Sequence, residues 1–347
     1  MKKYISWLVA LAFYASCLTW SVPLRAEYFN VNARNLVVQG APWVDVKAFG
    51  AKGDNTTDDT AAIHAAIDNV GGSSGLLGNP YAASITGGGV VFFPPGIYKI
   101  TAKLLVDKCQ VKLRGSGSAL TTIKYVSTSA TITEMIRFKY ASSCEISGLT
   151  LDGGTGQIGA NANAAIVGLY LDLVDYFYST DLTIKFTKIT GLKASRLWES
   201  AFYDLKIHST GWYSTATDNT AAVWFTDDGS ETLPTIVPAS TQSNNTVFYK
   251  PTLCPYGAIV RVSSINTQNI KFHNLIYEQY NNGTTTYAFN EDKIVIDNAV
   301  FNVVFDGGYL TTHKFTDQAG AGYFFNISNS PIMVMIKDLQ IWDDALA

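Results

Sequence analysis

The sequence predicts an all-β fold, a parallel β-helix in which short strands coil into a stacked solenoid behind one capping α-helix. Three observations carry this. One amphipathic helical stretch stands near the start, and no second one follows from about Leu104 onward. Short units with two apolar residues flanking an outward one recur through the rest of the chain. Several of these units fall roughly 20 residues apart, the period of a coiled solenoid of strands. A sandwich would advertise two-residue hairpin turns between paired strands, and few appear.

The capping segment spans 44–100. It begins as a short strand and a Gly turn, then places Ile63, Ala66, Ile67 and Val70 at helical spacing on one face. Asp58 is the expected N-cap, Asp59 sits in the first turn against the helix dipole, and Gly71-Gly72 supplies the stop. G-G-G-V-V-F-F-P-P-G-I-Y-K-I then closes the segment as an apolar strand ended by a Pro-Pro-Gly turn.

The coils are expected over 101–347. Leu149-Thr150-Leu151-Asp152, Leu169-Tyr170-Leu171-Asp172, Ile184-Lys185-Phe186-Thr187, Leu205-Lys206-Ile207-His208, Ile270-Lys271-Phe272-His273 and Ile294-Val295-Ile296-Asp297 repeat one pattern. Such alternation puts Leu, Ile and Phe inside while Thr, Lys, Tyr and His face out. Gly115, Gly117, Gly148, Gly191, Asn269 and Asn298 suit tight corners. The polar stretch of about 215–245 breaks the rhythm and is expected to bulge from one face, as a groove wall or a surface loop. A solenoid exposes strand edges and core at its last coil. A short tail, further chain or a second copy would cover it, and the last case gives a homo-oligomer through the C-terminal coil.

Residues 1–26 have the form of a signal peptide: Lys2 and Lys3, an uncharged apolar run from Ile5 to Trp20, and a cleavage region ending at Ala26. Residues 27–43 form a lead-in, and 44–347 one domain. The expected location is secreted, periplasmic or cell-surface, with lipoprotein anchoring at Cys17 as the alternative. Losing 1–26 removes Lys2, Lys3 and Arg25 and no acid, which leaves 22 basic against 28 acidic residues. No Lys/Arg cluster survives, so nucleic acid is not an expected partner. Cys109, Cys144 and Cys254 allow at most one internal disulfide, and spacing does not decide whether Cys109 and Cys144 form it.

The stretch V-D-V-K-A-F-G-A-K-G-D-N-T-T-D-D-T-A-A-I-H-A-A-I, with the closing strand above, V-K-L-R-G-S-G-S at 111–118 and I-S-G-L-T-L-D-G at 146–153, resembles the pectate-lyase-like, rhamnogalacturonase-type β-helix proteins. The resemblance implies a right-handed coil, exported or carried on a phage or bacterial surface, and action on polysaccharides. It gives Gly53, Asp54, Asp58, Asp59 and Thr60 an architectural role. The Asn-Thr-Asp, Asp-Asp, Gly-His-Gly and Arg-Ile-Lys series of the polygalacturonase-type hydrolases does not stand here in that form and order. Asp227-Asp228 is an Asp-Asp pair without its partners.

Glycoside hydrolysis needs two carboxyl groups about 5–10 Å apart, and neighbouring coils lie about 4.8 Å apart. Asp152 and Asp172, one repeat apart, are the expected pair; the alternative for each is a local turn role. Asp228, Glu278 and His208 are further catalytic candidates, and Tyr170, Trp224, Tyr277, His273 and Lys271 are candidates for holding sugar. The functional expectation is hydrolysis of an extracellular polysaccharide with no cofactor. A uronate lyase, with calcium as its usual aid, and a non-catalytic carbohydrate-binding or tail-spike-like β-helix are the alternatives.

Overall fold

In a computed structural model, the structure describes residues 43–71, 87–126, 132–154, 165–210, 220–227, 243–255, 257–264, 267–278, 293–297, 301–312, 324–328 and 333–343. They belong to one compact unit, Val37–Ala347. The expected signal peptide and most of the lead-in lie outside them. Strands dominate, and the described residues hold a single α-helix, α1 (Thr60–Asn69).

The strand pairings are parallel throughout, and they sort into three columns. Face A runs from Trp43–Asp45 through Gly89–Phe93 and Val111–Gly115 down to Val334–Lys337. Face B runs from Asp54–Asp58 through Gly96–Ile100 and Thr121–Tyr125 down to Gln340–Asp343. Face C stacks Leu104–Val106, Glu134–Ser142, Val167–Asp175, the first half of Thr190–Tyr203, Ala221–Phe225, Ala258–Val262, Ile294–Ile296 and Phe325–Ile327. The chain visits each face once per coil, which is a parallel β-helix.

Left-handed residues make the corners. Between faces A and B one residue per coil turns the chain: Gly148, Asp181, Asp204, Lys250, Asn274, Gly307 and Asp338, with φ between 47° and 74°. Between faces C and A the turning residues include Ser143, Tyr176, Glu199, Asn245, Asn269 and Asn302. Asn302 Nδ2 donates to Asn269 Oδ1 at 2.7 Å, and Asn245 Nδ2 to Glu199 Oε1 at 2.6 Å. Gly117, Gly148 and Asn269 therefore turn corners as expected. Gly115 and Gly191 do not: they lie within strands, where a Cβ on Gly115 would come 2.1 Å from the Gly148 carbonyl oxygen. Asn298 lies outside the described residues.

The core holds an aromatic column, Phe138, Phe177, Phe202, Phe248, Phe272 and Phe305, with successive centroids 4.6–5.8 Å apart. Ile63, Ala66 and Ile67 of α1 join the same core. Asp59, not Asp58, immediately precedes the helix, and its carboxylate accepts the Lys52 and Gly53 N–H groups at 2.6 and 3.0 Å. Asp58 instead accepts the Thr60 N–H, from one residue further out. Gly71 takes the left-handed conformation after the helix, as its stop role requires.

Of the stretch expected to bulge, about 215–245, only 220–227 and 243–245 are among the described residues. Ala221–Phe225 is a regular strand of face C, and Asn244–Tyr249 already belongs to face A. The five apolar residues A-A-V-W-F were hidden by the polar residues on either side. The last coil leaves Met335, Ile336 and Ile341 exposed.

Candidate active site on face C

Alternation along face C sends Ile136 and Phe138, Leu169 and Leu171, Leu192 and Ala194, Val223 and Phe225 into the core. The residues between them point outward, and the register aligns them across coils. Tyr170 pairs with Arg137 and Lys193, Lys193 with Trp224, and Trp224 with Arg261. The result is a row along the axis in which cations and aromatic rings interleave. The Arg137 guanidinium lies 4.8 Å from the Tyr170 ring centroid, and Lys193 Nζ lies 5.0 Å from Tyr170 and 5.5 Å from Trp224. Trp224 Nε1 donates to Ser263 Oγ at 2.7 Å, which fixes the indole.

A second row, two residues further along, carries Lys139, Asp172 and Ser195 in register. Asp172 is fully buried and held by two guanidinium groups: Arg137 Nη2 donates to Oδ2 at 2.6 Å, and Arg196 Nη2 donates to Oδ1. Arg196 is itself a left-handed residue with φ 61°. Glu134 completes the cluster, 3.7 Å from Arg137 and 3.2 Å from Lys103. Burial alone would lower the Arg137 pKa; its hydrogen bond and charge contact with Asp172 more than reverse this. Arg137 thus serves both rows, clamped by Asp172 and laid against Tyr170. Arg137, Tyr170, Asp172 and Arg196 are buried, whereas Lys139, Lys193, Trp224 and Arg261 are half-buried and form the accessible part.

At the end of this face Asp175 is 4% exposed, and its Oδ2 has no hydrogen-bond partner among the described residues. Burial raises its pKa. The sign follows from linkage: stability is full below the ordinary carboxyl pKa and falls as pH rises through the higher folded value. Asp175→Asn should therefore stabilise the fold at neutral pH by on the order of 1 kcal/mol and raise the melting temperature, with the gain vanishing in acid. A melting series across pH checks it, and a gain that is equal at every pH would contradict it.

The remaining sequence candidates scatter. Asp152 is on face B, aligned with Lys124 and Lys185 and not with Asp172. The expected pair is thus split between faces, because a coil here is 23 or 33 residues long between equivalent positions (Lys139, Asp172 and Ser195) and not 20. Asp152 Oδ1 accepts the Gly154 N–H at 3.0 Å, the turn role its Asp-Gly context allowed. His208 is also on face B, and burial, with Lys206 and Lys185, pushes its imidazole below the ordinary value. Glu278, exposed on face B, accepts the Tyr309 hydroxyl at 2.6 Å. Lys271 and His273 stand on face A. Asp228 lies outside the described residues.

Tyr277 is corrected outright: it is fully buried in the core and cannot stack on a sugar. Cys109, Cys144 and Cys254 are free thiols, with burial pushing Cys144 up to about 12. Face C therefore gathers Tyr170, Asp172 and Trp224 of the expected residues, and adds Arg137, Lys139, Lys193, Arg196 and Arg261. Arg137, Lys139, Lys193 and Arg261 were present as outward positions in R-F-K (137–139), L-K-A (192–194) and V-R-V (260–262), whereas Arg196 was not.

The three columns of parallel pairings define a parallel β-helix protein. The chain belongs to the rhamnogalacturonase A/epimerase, pectate lyase-like family, whose model matches residues 43–309. Among curated proteins it is 36% identical over 129 residues to the mannuronan C5-epimerase AlgE1 of Azotobacter vinelandii, covering 34% of this chain and 8% of that protein. It is 32% identical over 162 residues to alginate lyase 7 of the same organism, covering 44% and 17%. The chain spans less than a quarter of the length of the curated relatives it matches. Among solved structures, ORF18 of Geobacillus virus E2 superposes with a TM-score of 0.65 at 21% identity, covering 87% of this chain and 58% of that one. An alginate lyase from Paenibacillus sp. str. FPU-7 superposes with 0.52 at 14% identity, covering 82% and 95%. These two likenesses concern the fold.

Proposed function

We propose that this is an exported enzyme acting on a polyuronate, abstracting the proton at C5 beside the uronate carboxylate, with elimination or epimerisation as the outcome. The observation that carries the reading is the axial row Arg137–Tyr170–Lys193–Trp224–Arg261. A uronate polymer lying along the rod would set its carboxylates against Lys193 and Arg261, and a sugar ring against Trp224. Removing a proton next to a carboxylate drives negative charge onto that group, and fixed cations stabilise it as it develops. Tyr170, between two cations and shielded from bulk water, is the proton-transfer group in this reading. The coil is read as right-handed, with α1 as the lid of its first turn.

The relatives named as a mannuronan C5-epimerase and an alginate lyase support the substrate class. Hydrolysis, which needs a carboxyl pair, becomes the competing outcome because Asp152 and Asp172 lie on different faces. Among the described residues no three His, Cys, Asp or Glu side chains gather as a metal site, so no step is routed through calcium.

The test is incubation of the purified chain in deuterated water with mannuronate, guluronate and galacturonate polymers. Deuterium at C5, or unsaturated uronate absorbance, is the expected result. New reducing ends with neither signal would establish hydrolysis instead, and no change in any polymer would leave a binding protein.

A further inference from the structure

Of the sugar-binding residues expected from the sequence, Tyr170 and Trp224 stand on face C and Lys271 and His273 on face A, and face A has a composition of its own. On face A, Tyr203, Tyr249 and His273 occupy one row on three successive coils. Their rings stack, Tyr203 on Tyr249 at 4.9 Å and 7°, and Tyr249 on His273 at 5.3 Å and 14°. Unlike the phenylalanine column inside, this stack is in water: Tyr203 is 39% and Tyr249 41% exposed. The neighbouring row reads Tyr178, Ala201, Val247, Lys271, with Tyr178 47% exposed. Small side chains thus run beside the stacked tyrosines, bounded by a tyrosine at one end and a lysine at the other.

Aromatic rings that remain exposed in a cluster mark a contact surface more often than a stabilising device. Stacked face to face, the two tyrosines can offer their hydroxyls, each both donor and acceptor, to the hydroxyl and carboxylate groups of a sugar chain. The rungs repeat at the coil spacing, about 4.8 Å, commensurate with the advance of one pyranose in an extended polysaccharide. Lys271 supplies a cation at the lower end, where His273 Nδ1 lies 3.3 Å from Asp306 Oδ2.

We propose that this strip of face A is a second, non-catalytic binding site for a polyuronate chain, separate from face C. It shares with the proposed function only the class of polymer. Its role would be to retain a long chain on the rod while face C acts on it.

Affinity electrophoresis of the full chain in gels containing alginate, alongside turnover of short oligouronates, tests the strip. Tyr203→Thr/Tyr249→Thr should weaken retardation by about tenfold or more while the initial rate on short oligomers stays at the wild-type level. Val247→Glu leaves the ring stack untouched and sets a negative charge beside it, and should weaken retardation likewise; it decides the matter should the double variant fold poorly. Retardation equal to wild type in both variants, or no retardation of the wild-type chain, overturns the inference. The two proposals fail separately. Turnover with unaltered retention in the variants sinks the strip alone, whereas retention lost in the variants of a chain that turns over no polyuronate sinks the enzymatic reading alone.

Discussion

Asp172→Ala is expected to cost about 3–5 kcal/mol of folding stability, the usual consequence of leaving a buried charge without its partner. Two guanidinium groups converge on this fully buried carboxylate, and neither has an equivalent replacement. Glu134 lies 3.7 Å from Arg137 but already faces Lys103, and Arg196 Nε has no hydrogen-bond partner among the described residues. Asp152→Ala offers the contrast. Its contact with Lys185 is 3.8 Å long, and that lysine side chain is 34% exposed, so about 1 kcal/mol or less should be lost. Urea unfolding of both variants measures the difference. An Asp172 variant no less stable than the Asp152 variant would mean that the cluster is not closed in solution. Replacing Arg137, Asp172 and Arg196 together by Met, Leu and Met should recover much of the loss, since apolar substitutes for a buried ionic group are often neutral or stabilising. Recovered stability without recovered activity would then place the value of the cluster in holding Arg137 against Tyr170.

The architecture was readable because period-two alternation survives in each short strand, and because the helix preceding the coils has a single apolar stripe. What alternation does not carry is the corner. Counting outward from Phe272 through His273 to Tyr277 as one strand puts Tyr277 on the surface. Asn274, with φ 54°, turns the chain there and resets the count, so that Leu275 and Tyr277 both point inward. The same effect separates Asp152 from Asp172: a coil is three strands plus corners of unequal length, so equal spacing in sequence is not equal height on one face. Tyr170 and Trp224 were recognisable as outward aromatic residues, but their neighbours Arg137 and Lys193 looked like any strand-surface cation. Only the inter-coil register brings these four into one row. The buried clamp on Arg137 was likewise invisible, since Arg196 reaches Asp172 from a left-handed backbone position that no side-chain pattern announces.

Tyr170→Phe is expected to lower turnover of a polyuronate by about 10²–10⁴-fold, the range for loss of a proton-transferring side chain, with folding stability nearly unchanged. The substitution is chosen because it separates the hydroxyl from everything else the residue does. The ring keeps its place in Val167–Asp175, and the cation contacts from Arg137 and Lys193 survive, since they are made to the ring. Binding of the polymer should therefore persist, and the loss should fall on kcat rather than KM. Lys193→Met should do the opposite in part, weakening KM through the lost carboxylate contact and kcat through the lost stabilisation of developing charge. If Tyr170→Phe turns over polymer at the wild-type rate, the proton passes through another group. The row on face C would then be a binding surface that positions the uronate for chemistry performed elsewhere.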